Sequence, residues 1–545
     1  MYSRCAQRSR TALLCLLAAV AATLPLHAGA AAVDYENRII TTFLRQEPPQ
    51  LDSTKATDTV SGMVLGHAME RLTNYDLAGR LIPGVAERWE VREDGATFWL
   101  REDARWSDGE PVTAQDFVFA WNKVVDPANA SEYAFIFYGI ENAEAIVKGE
   151  AEPGTLGVRA DGDFVLEVTF ERPIAYFDKL VAFVTFNPLR EDFYAEREGR
   201  YAAEPEDMLF NGPFVISQWD HGAKLRLAKN PYYWDADNIW LNGIHFDYIT
   251  SNALAQLNLF KDGQVVMADL DSETMLDALE RRYRILRFDD GSVWYMGFNF
   301  REGRPAANRN LRKALALTFD PYELINRVIA IPGYRPGKTI FPAWLQGNSD
   351  LLRREMPPPE PTVNVELARQ YLAQAKAELG GEIPPLVLLT DDTPTASKQA
   401  EYLQTLWGDR LGLEIRIDKQ IFKQRLAKMT AGDYDMVTAG WGPDYDDPLT
   451  FGDLFSSWNL NNRGRYANDE VDACVRAAQD SVDPEERLAA FECIQRVTLE
   501  DVAYLPTYER GRIYIVHPQL RGFVRRAVGI ETDLQRAYIA PPEAD

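Results

Sequence analysis

The hydrophobic positions of this chain change period repeatedly, between the alternation typical of strands and the three-to-four spacing typical of helices. This change of period predicts an α/β fold. Residues 97–126 contain both patterns: a predicted strand over 97–100, a turn at Asp108 and Gly109, and a helix over 114–125 that Thr113 caps. We find no internal repeat, coiled coil or long polar tract.

A second stretch, residues 384–441, predicts a parallel sheet. Predicted strands over 384–392, 413–418 and 434–441 alternate with predicted helices over 397–411 and 422–430. In open sheets of this β-α-β-α-β order, ligands bind outside the carboxyl ends of the strands. The last strand runs into AGWGPDYDDPLTF, residues 439–451, so this loop lies where a binding loop is expected.

Two cysteines near the C-terminal end favour a disulfide. Asn468 and Asp483 are predicted to cap two successive helices, with Pro484 in the first position of the second. Cys474 lies nine residues before Asp483 and Cys493 ten residues after it, so the two come level in an antiparallel hairpin. In an oxidising compartment they are expected to form a bridge, with two buried thiols as the alternative.

The first 30 residues have the pattern of a secretory signal peptide. Arg4, Arg8 and Arg10 precede an apolar run over 11–26, and the small residues Ala28 and Ala30 follow. This predicts cleavage near residue 30 and a location in a bacterial periplasm. The apolar run is shorter than the ~20 residues that span a membrane, so an anchor is the less favoured alternative.

Length, net charge and the absence of catalytic motifs exclude several classes of protein. A chain of 545 residues exceeds the size at which one core stops growing, which predicts two or three domains. A net charge of −24 argues against non-specific binding of nucleic acid or anionic lipid. The sequence has no GxSxG, HExxH or phosphate-loop motif, so we expect no enzyme activity, no cofactor and no metal site.

The loop after the last predicted strand holds three aspartates, Asp444, Asp446 and Asp447, which repel one another. An EF-hand would need glycine at Leu449 and glutamate at Phe455, so calcium is not expected. A catalytic carboxylate pair lacks any nucleophile or histidine motif nearby. A solvated turn describes one or two of the three. A binding site for a positively charged ligand is the interpretation that remains for the aspartate or aspartates not in such a turn.

Several segments, taken together, resemble the periplasmic oligopeptide-binding proteins, the large solute-binding components of ABC peptide importers. They include NGPFVISQW (211–219), KNPYYWDADNIWLNGIHF (229–246), NRNLRKALALTFD (308–320) and YDMVTAGWGPDYDDPLTF (434–451), with a longer segment at 81–127. The resemblance implies a two-lobed periplasmic-binding-protein fold of three domains. Domain I would combine residues 31–60, 190–288 and 512–545, an inserted domain II would cover 61–189, and domain III would cover 289–511. The lobes would close on a ligand by a hinge motion.

The resemblance also implies a function. Family members hold extended peptides mainly through the peptide main chain and deliver them, as monomers, to an inner-membrane permease. They bind the peptide α-ammonium with an aspartate at the position that is Asp444 here. Gly440 would let the ligand backbone approach, Trp441 would form an apolar wall, and residues from Gly440 to Gly442 would pair with the ligand like a neighbouring strand. A local cap or ion pair for Asp444, and core packing for Trp441, are the structural alternatives.

Further positions match ligand-facing positions of the family. They are Glu47, Tyr133, Phe135, Trp294, Tyr295, Asn299 and Tyr508. Each aromatic residue could instead belong to a core, and Glu47 could be a surface residue.

The chain departs from the family where peptide C-termini are bound. Thr438 stands where the best-known members have arginine, and Ala396 aligns near a family histidine. Either Lys398 or Lys428 substitutes, or the ligand C-terminus is not read. Gly442 replaces a family cysteine, so the related disulfide is absent.

Other functions remain open at this point. The same fold could bind a murein peptide, an opine, a nickel complex or a sugar. A sensory or chaperone-like peptide binder, and a periplasmic hydrolase, are further alternatives.

Overall fold

The structure is a computed structural model, and it describes residues 31–197 and 199–541. The predicted signal peptide, residues 1–30, lies outside the described residues. Across the described residues, no helix combines the length and the apolar character needed to cross a bilayer.

The chain alternates strands and helices throughout. The strands are β1 Val33–Asp34, β2 Ile39–Leu44, β3 Thr73–Tyr75, β4 Leu81–Pro83, β5 Ala86–Arg92, β6 Gly95–Leu100, β7 Val158–Ala160, β8 Val165–Thr169, β9 Phe214–Asp220, β10 Lys224–Lys229, β11 Gly243–Ile249, β12 Met267–Asp269, β13 Ile285–Phe298, β14 Arg335–Pro336, β15 Leu386–Asp391, β16 Ile415–Gln420, β17 Met436–Trp441, β18 Tyr504–Val516, β19 Leu520–Arg521, β20 Val524–Arg525, β21 Thr532–Asp533 and β22 Tyr538–Ile539.

The α-helices are α1 Thr59–Ala68, α2 Ala114–Val125, α3 Ala143–Val147, α4 Phe177–Leu180, α5 Glu191–Glu196, α6 Ala253–Lys261, α7 Met275–Glu280, α8 Arg309–Ala316, α9 Pro321–Glu323, α10 Leu352–Glu355, α11 Val365–Glu378, α12 Pro394–Leu411, α13 Phe422–Ala431, α14 Leu449–Gly452, α15 Asp469–Asp480 and α16 Pro484–Glu500. Short 3-10 helices lie at Pro127–Asn129, Ala134–Phe137, Val184–Phe186, Pro205–Asp207, Ala236–Asn238, Pro305–Ala307 and Asp453–Phe455, and a π-helix at Leu324–Ile329.

Two smaller sheets lie in the N-terminal half. The first has the order β1-β2-β11-β10-β9 and pairs β2 with β11 in parallel. The second is the antiparallel sheet β5-β6-β8-β7. Helix α2 begins at the predicted cap, Thr113, where Asp116 completes a capping box. Its apolar face buries Trp121 against Phe137, Phe177 and Phe186, each edge-on to the indole.

The largest sheet contains the predicted parallel strands. Its order is β12-β18-β13-β17-β15-β16, with β14 added alongside β18. Strand β15 pairs in parallel with β16 and with β17, which confirms the β-α-β-α-β prediction. Strands β13 and β18 are long, at 14 and 13 residues, and run across the boundaries that the resemblance implies after residues 288 and 511.

The predicted helical hairpin and its disulfide are confirmed. Helix α15 is capped by the side chain of Asn468, and α16 by that of Asp483 with Pro484 at its start. Cys474 and Cys493 are joined by a disulfide, with their Cα atoms 6.1 Å apart.

Candidate functional site

A cavity of about 210 Å³ lies at the carboxyl end of β17. Separate parts of the chain form its walls: the start of α1, residues 182–184 beside Tyr133, strands β13 and β17, helix α13 and the segment 525–531. A neighbouring cavity of about 180 Å³ shares Trp294, Asp391, Arg510 and Glu531 with the first. The two cavities together form one cleft with a common wall.

Contacts between residues 132–179 and residues 444–480 close the cleft on one side. Glu132 forms an ion pair with Arg463, and Glu144 pairs with Arg476 at 2.7 Å. Arg172 lies 3.2 Å from Asp480. Arg463 is buried and lines the cavity, whereas the side chains of the other two pairs are partly exposed. Ion pairs as exposed as these two contribute little to stability.

Asp444 lines the cavity and lacks a cationic partner. Its Oδ1 accepts a hydrogen bond from the Tyr133 hydroxyl at 2.9 Å, and its backbone N–H donates to Thr450 Oγ1 at 2.9 Å. Within residues 31–541 as described, no Lys, Arg or His lies within ion-pair distance of this carboxylate. Burial raises the pKa of Asp444 well above its usual range, the Tyr133 hydrogen bond opposes this, and the charge of Asp453 adds to it.

The other two aspartates of the loop have structural partners. Arg487 donates to both carboxylate oxygens of Asp447, at 2.6 and 2.9 Å, which ties the loop to helix α16. Lys179 Nζ donates to the Asp446 carbonyl at 2.9 Å and lies 3.5 Å from its carboxylate. Neither carboxylate lines the cavity. The loop therefore offers one aspartate, Asp444, to a ligand.

Strand β17 presents a free edge to the cavity. It pairs with β13 along its whole length, but with β15 only at Met436 and Val437. Among the described strands, none pairs with the opposite edge of β17 from Thr438 to Trp441. A free strand edge carries unpaired N–H and C=O groups that an extended chain can bond.

Gly440, Trp441 and Gly442 all line the cavity. A Cβ on Gly440 would lie 2.7 Å from the Trp294 indole, so glycine is what lets Trp294 lie across the strand. The Trp441 indole N–H donates to the Thr450 carbonyl at 2.8 Å, which fixes the ring beside the loop. A Cβ on Gly442 would make only ordinary contact, at 3.5 Å from Thr59.

An aromatic stack lies beside the wall that the two cavities share. Trp294 stacks on Tyr508, with ring centroids 5.5 Å apart, and Tyr508 stacks in turn on Tyr334 at 5.2 Å. Trp294 lines both cavities, Tyr295 the first and Tyr508 the second. The indole N–H of Trp294 has no hydrogen-bond partner in the described part of the chain, so it is available to a ligand carbonyl.

Four of the predicted ligand-facing residues do not line either cavity. Glu47 accepts hydrogen bonds from the Trp219 indole at 2.9 Å and the Gly222 backbone at 3.0 Å. Asn299 is fully buried and donates to the Gly432 and Tyr434 carbonyls. Glu47 therefore links the loop after β2 to strand β9 and the turn that follows it. Asn299 links the end of β13 to the segment before β17.

The remaining two residues, Phe135 and Thr438, lie behind the wall. Phe135 stacks on Tyr133 at 5.8 Å and supports the ring that reaches Asp444. Thr438 is buried and shares a hydrogen bond of 2.7 Å with the Thr390 hydroxyl.

The two lysines considered as replacement anchors are engaged elsewhere. Lys398 pairs with Glu273 at 2.7 Å, and Lys428 with Asp418 at 2.6 Å, and neither lines a cavity. The Arg425 guanidinium donates to the Thr438 carbonyl at 3.4 Å and to Asp391 at 2.7 Å, and Arg425 lines the first cavity.

A buried charge cluster in the shared wall was not predicted. Asp290 accepts from Arg510 at 2.6 Å, Arg525 at 2.8 Å and Arg512 at 2.9 Å. Burial opposes ionisation of Asp290, but the guanidinium charges outweigh it and hold its pKa well below its usual range. The alternation of β18 carried a signal, because Arg510 and Arg512 follow Tyr508 on the same face.

Comparison with known proteins extends over almost the whole chain. The family described as "Bacterial extracellular solute-binding proteins, family 5 Middle" matches residues 80–462. An oligopeptide ABC transporter substrate-binding domain from Bacillus anthracis is 32% identical, with a TM-score of 0.88, over 94% of this chain and 100% of that one. Listeria monocytogenes OppA bound to peptide is 30% identical, with a TM-score of 0.87, over 93% and 99%.

A third relative has been solved in two forms. The Escherichia coli murein tripeptide-binding protein MppA is 26% identical, with a TM-score of 0.86, over 94% of this chain and 100% of that one. The unliganded open form of MppA, at the same identity and over 94% and 99%, gives a TM-score of only 0.62. The present structure is therefore less similar to this open form than to the other MppA structure and to peptide-bound Listeria OppA.

Proposed function

This chain belongs to the bacterial extracellular solute-binding proteins, family 5, and we propose that it captures oligopeptides by their free α-amino end for delivery to an ABC importer. The observation that carries this proposal is the Asp444 carboxylate, which lines the cleft, is partly buried and has no cationic partner among the described residues. A peptide α-ammonium is a cation that can supply the missing charge, and only the first residue of a peptide carries it. The contact would therefore set the register of the ligand.

The free edge of β17 supports an extended ligand. A peptide lying along residues 439–442 would exchange main-chain hydrogen bonds with this segment, independently of its side chains. Trp294 and Trp441 would flank its first residues as apolar walls. The absence of a β15 partner beyond Val437 leaves space for this extra strand.

The same geometry suggests how binding is coupled to closure. In an open cleft, water solvates Asp444, whereas closure around an empty site leaves the carboxylate buried without a counter-charge. A bound ammonium removes that penalty and becomes a charge-assisted contact in a water-poor site. Ligand binding thus shifts the population towards the closed form.

Several broader features belong to this proposal. The protein would act as a periplasmic monomer without enzyme activity, after loss of its signal peptide. Domain I would comprise residues 31–60, 190–288 and 512–545, domain II residues 61–189, and domain III residues 289–511. The long strands β13 and β18 would then serve as the connections across the hinge.

Thermal unfolding with matched peptides tests the proposal. Free-amine tri- to pentapeptides at 100 times their dissociation constant should add about 2.7 kcal/mol to the free energy of unfolding. At the same concentrations, the N-acetylated forms of these peptides should add much less. In Asp444→Asn, the free-amine and N-acetylated peptides should stabilise the protein equally. Asp446→Asn, in the same loop but outside the cavity, is the matched control. No stabilisation by any peptide would refute the proposal.

A further inference from the structure

In the described chain, three arginines of the cavity wall have N–H groups without acceptors: Arg71, Arg526 and Arg525, of which Arg525 is already paired with two carboxylates, Asp290 and Glu531. Arg71 and Arg526 both line the cavity that Asp444 lines, and are 3% and 9% exposed. In the described chain, Nε of Arg71 and both Nε and Nη1 of Arg526 find no hydrogen-bond partner. A buried charged donor without an acceptor is costly, so such groups indicate a missing partner.

The protein supplies only partial compensation to this pair. Arg71 donates to the Met69 carbonyl at 3.3 Å and the Asn74 side chain at 3.2 Å, both uncharged groups. Arg526 forms an ion pair with Asp533 through Nη2. The carboxylate of Glu70, the chain neighbour of Arg71, accepts from the Tyr233 hydroxyl and the Trp234 indole, both at 2.6 Å.

The two guanidinium groups also lie close enough to repel each other. Burial lowers the pKa of Arg71, and the positive charge of Arg526 adds to that effect, while Glu70 and Asp533 oppose it. Arg526 Nη1 would lie 3.6 Å from a Cβ built on Gly529, and Gly529 lines the cavity. The unpartnered donors are thus beside the space that a ligand would fill.

From this geometry we propose that Arg71 and Arg526 form a seat for a carboxylate of the bound peptide. The inference rests on the proposed peptide-binding function and adds an anionic group to the ligand chemistry. A carboxylate accepts up to four hydrogen bonds and would satisfy N–H groups from both arginines at once. The ligand is then a zwitterion, held by Asp444 at its ammonium and by this arginine pair at its carboxylate.

The other arginines of the cavity are better neutralised. Arg425 is paired with buried Asp391, and Arg463 with Glu132. Arg510 and Arg525 share Asp290. A ligand carboxylate at any of these would have to compete with a protein carboxylate already in place. Arg526 is paired with Asp533 through Nη2 but keeps both Nε and Nη1 without an acceptor in the described chain. At Arg71, by contrast, no described carboxylate lies within ion-pair distance.

Calorimetric titration with three ligands tests the seat. The ligands are trialanine, trialanine amide and N-acetyl-trialanine, and the amide lacks only the C-terminal negative charge. The wild-type protein should bind the acid at least about tenfold more tightly than the amide, as expected for a buried charge-assisted contact. Arg71→Gln and Arg526→Gln should each weaken binding of the acid while leaving the amide unaffected.

The ratio of acid to amide affinity is the diagnostic quantity. A variant that merely distorts the cavity would weaken both ligands equally and keep the ratio. Arg526→Lys, which keeps the charge, should restore part of the preference for the acid. Arg536→Gln is the matched control, because Arg536 lies in the same C-terminal segment but pairs with Asp235 outside the cavity. It should leave the ratio unchanged.

The carboxylate could belong to the peptide terminus or to an acidic side chain. Tripeptide amides with a single aspartate at the second or third position distinguish these sources. Recovery of tight, Arg526-dependent binding by an aspartyl amide would assign the seat to a side chain. Equal binding of acid, amide and aspartyl amides would overturn the inference, as would an acid preference that survives both glutamine variants. In both cases the peptide-binding proposal would stand, whereas failure of all these peptides to bind would refute that proposal first.

Discussion

Asp290 and Asp444 are two carboxylates in the wall of one cavity, the first buried and the second partly buried, and the protein treats them in opposite ways. Three arginines surround Asp290 and hold its pKa well below the usual range. Asp444 has a single hydrogen bond from Tyr133, and burial raises its pKa well above that range. The charge of Asp290 is neutralised by protein side chains, whereas the charge of Asp444 has no cationic partner in the described chain.

This contrast separates structural from functional charge in a single cleft. A buried carboxylate with its own guanidinium partners joins segments of the chain that are far apart in sequence, here residues 290, 510 and 525. A buried carboxylate without a counter-charge penalises the closed form until a cation arrives. Acidity and a place in the cavity wall alone would not have distinguished the two residues, but the partners do.

The largest expected effect comes from removing the compensated charge. Asp290→Asn leaves Arg510, Arg512 and Arg525 clustered without the negative charge that they share. The free energy of unfolding should fall by about 3–5 kcal/mol, as when one partner of a buried ion pair is lost. Urea denaturation measures this directly. A loss below about 1 kcal/mol, the typical effect of a single substitution, would contradict the structural role of Asp290.

Removing the uncompensated charge should give the opposite pattern. Asp444→Asn should not lower the free energy of unfolding of the ligand-free protein, because no ion pair is broken. It should weaken binding of a free-amine peptide by about 2–5 kcal/mol, since the ligand ammonium loses its counter-charge. Parallel denaturation and calorimetric titration test both halves. A large stability loss with unchanged affinity would make Asp444 structural.

The two carboxylates should also respond differently to pH. The folded-state pKa of Asp290 is lowered, so its contribution to stability is complete above its ordinary pKa of 3.8 and is lost as pH falls further. Asp444 must be ionised to bind an ammonium, so affinity for free-amine peptides should fall as acid protonates it. N-acetylated peptides should lack this dependence, and so should Asp444→Asn. Titrations across mildly acidic pH would test this. The same pH dependence in the variant would exclude Asp444 as its source.

The smallest effect is expected at Asp446, the exposed member of the same loop. Its side chain is 45% exposed and its partner Lys179 is 40% exposed, so water screens the pair. Asp446→Asn should change stability by no more than about 1 kcal/mol and leave peptide affinity unchanged. Calorimetric titration of Asp446→Asn and Asp444→Asn with the same peptide compares the effect of the two carboxylates on affinity. A comparable loss of affinity in both would make the loop, rather than one carboxylate, responsible.

Local patterns predicted much of the fold. The cap at Thr113, the helices α13 and α15, and the parallel order of β15, β16 and β17 all follow from periodicity and capping residues. Helix α12 begins at Pro394, three residues before its predicted start at 397, because Thr393 caps it. The sequence did not predict that β15 stops pairing with β17 after Val437 and so leaves the rest of that edge of β17 free.

The site was predictable where one segment carries it and not where distant segments meet. The loop 439–451 pointed to Asp444, Gly440 and Trp441 because they follow a buried strand. The wall formed by Asp290, Arg510 and Arg525 depends on contacts between residues more than 200 positions apart, which no local pattern encodes. For the same reason Glu47, acidic and near the start of the fold, gave no sign that Trp219 and Gly222 would occupy its carboxylate.

The most direct test is a crystal structure of the protein with a free-amine tripeptide bound. The peptide α-ammonium nitrogen should lie 2.7–3.2 Å from a carboxylate oxygen of Asp444, the range of a hydrogen bond. The peptide backbone should run along the free edge of β17. An ammonium placed elsewhere in the cleft, with Asp444 bonded to Tyr133 alone, would contradict the account.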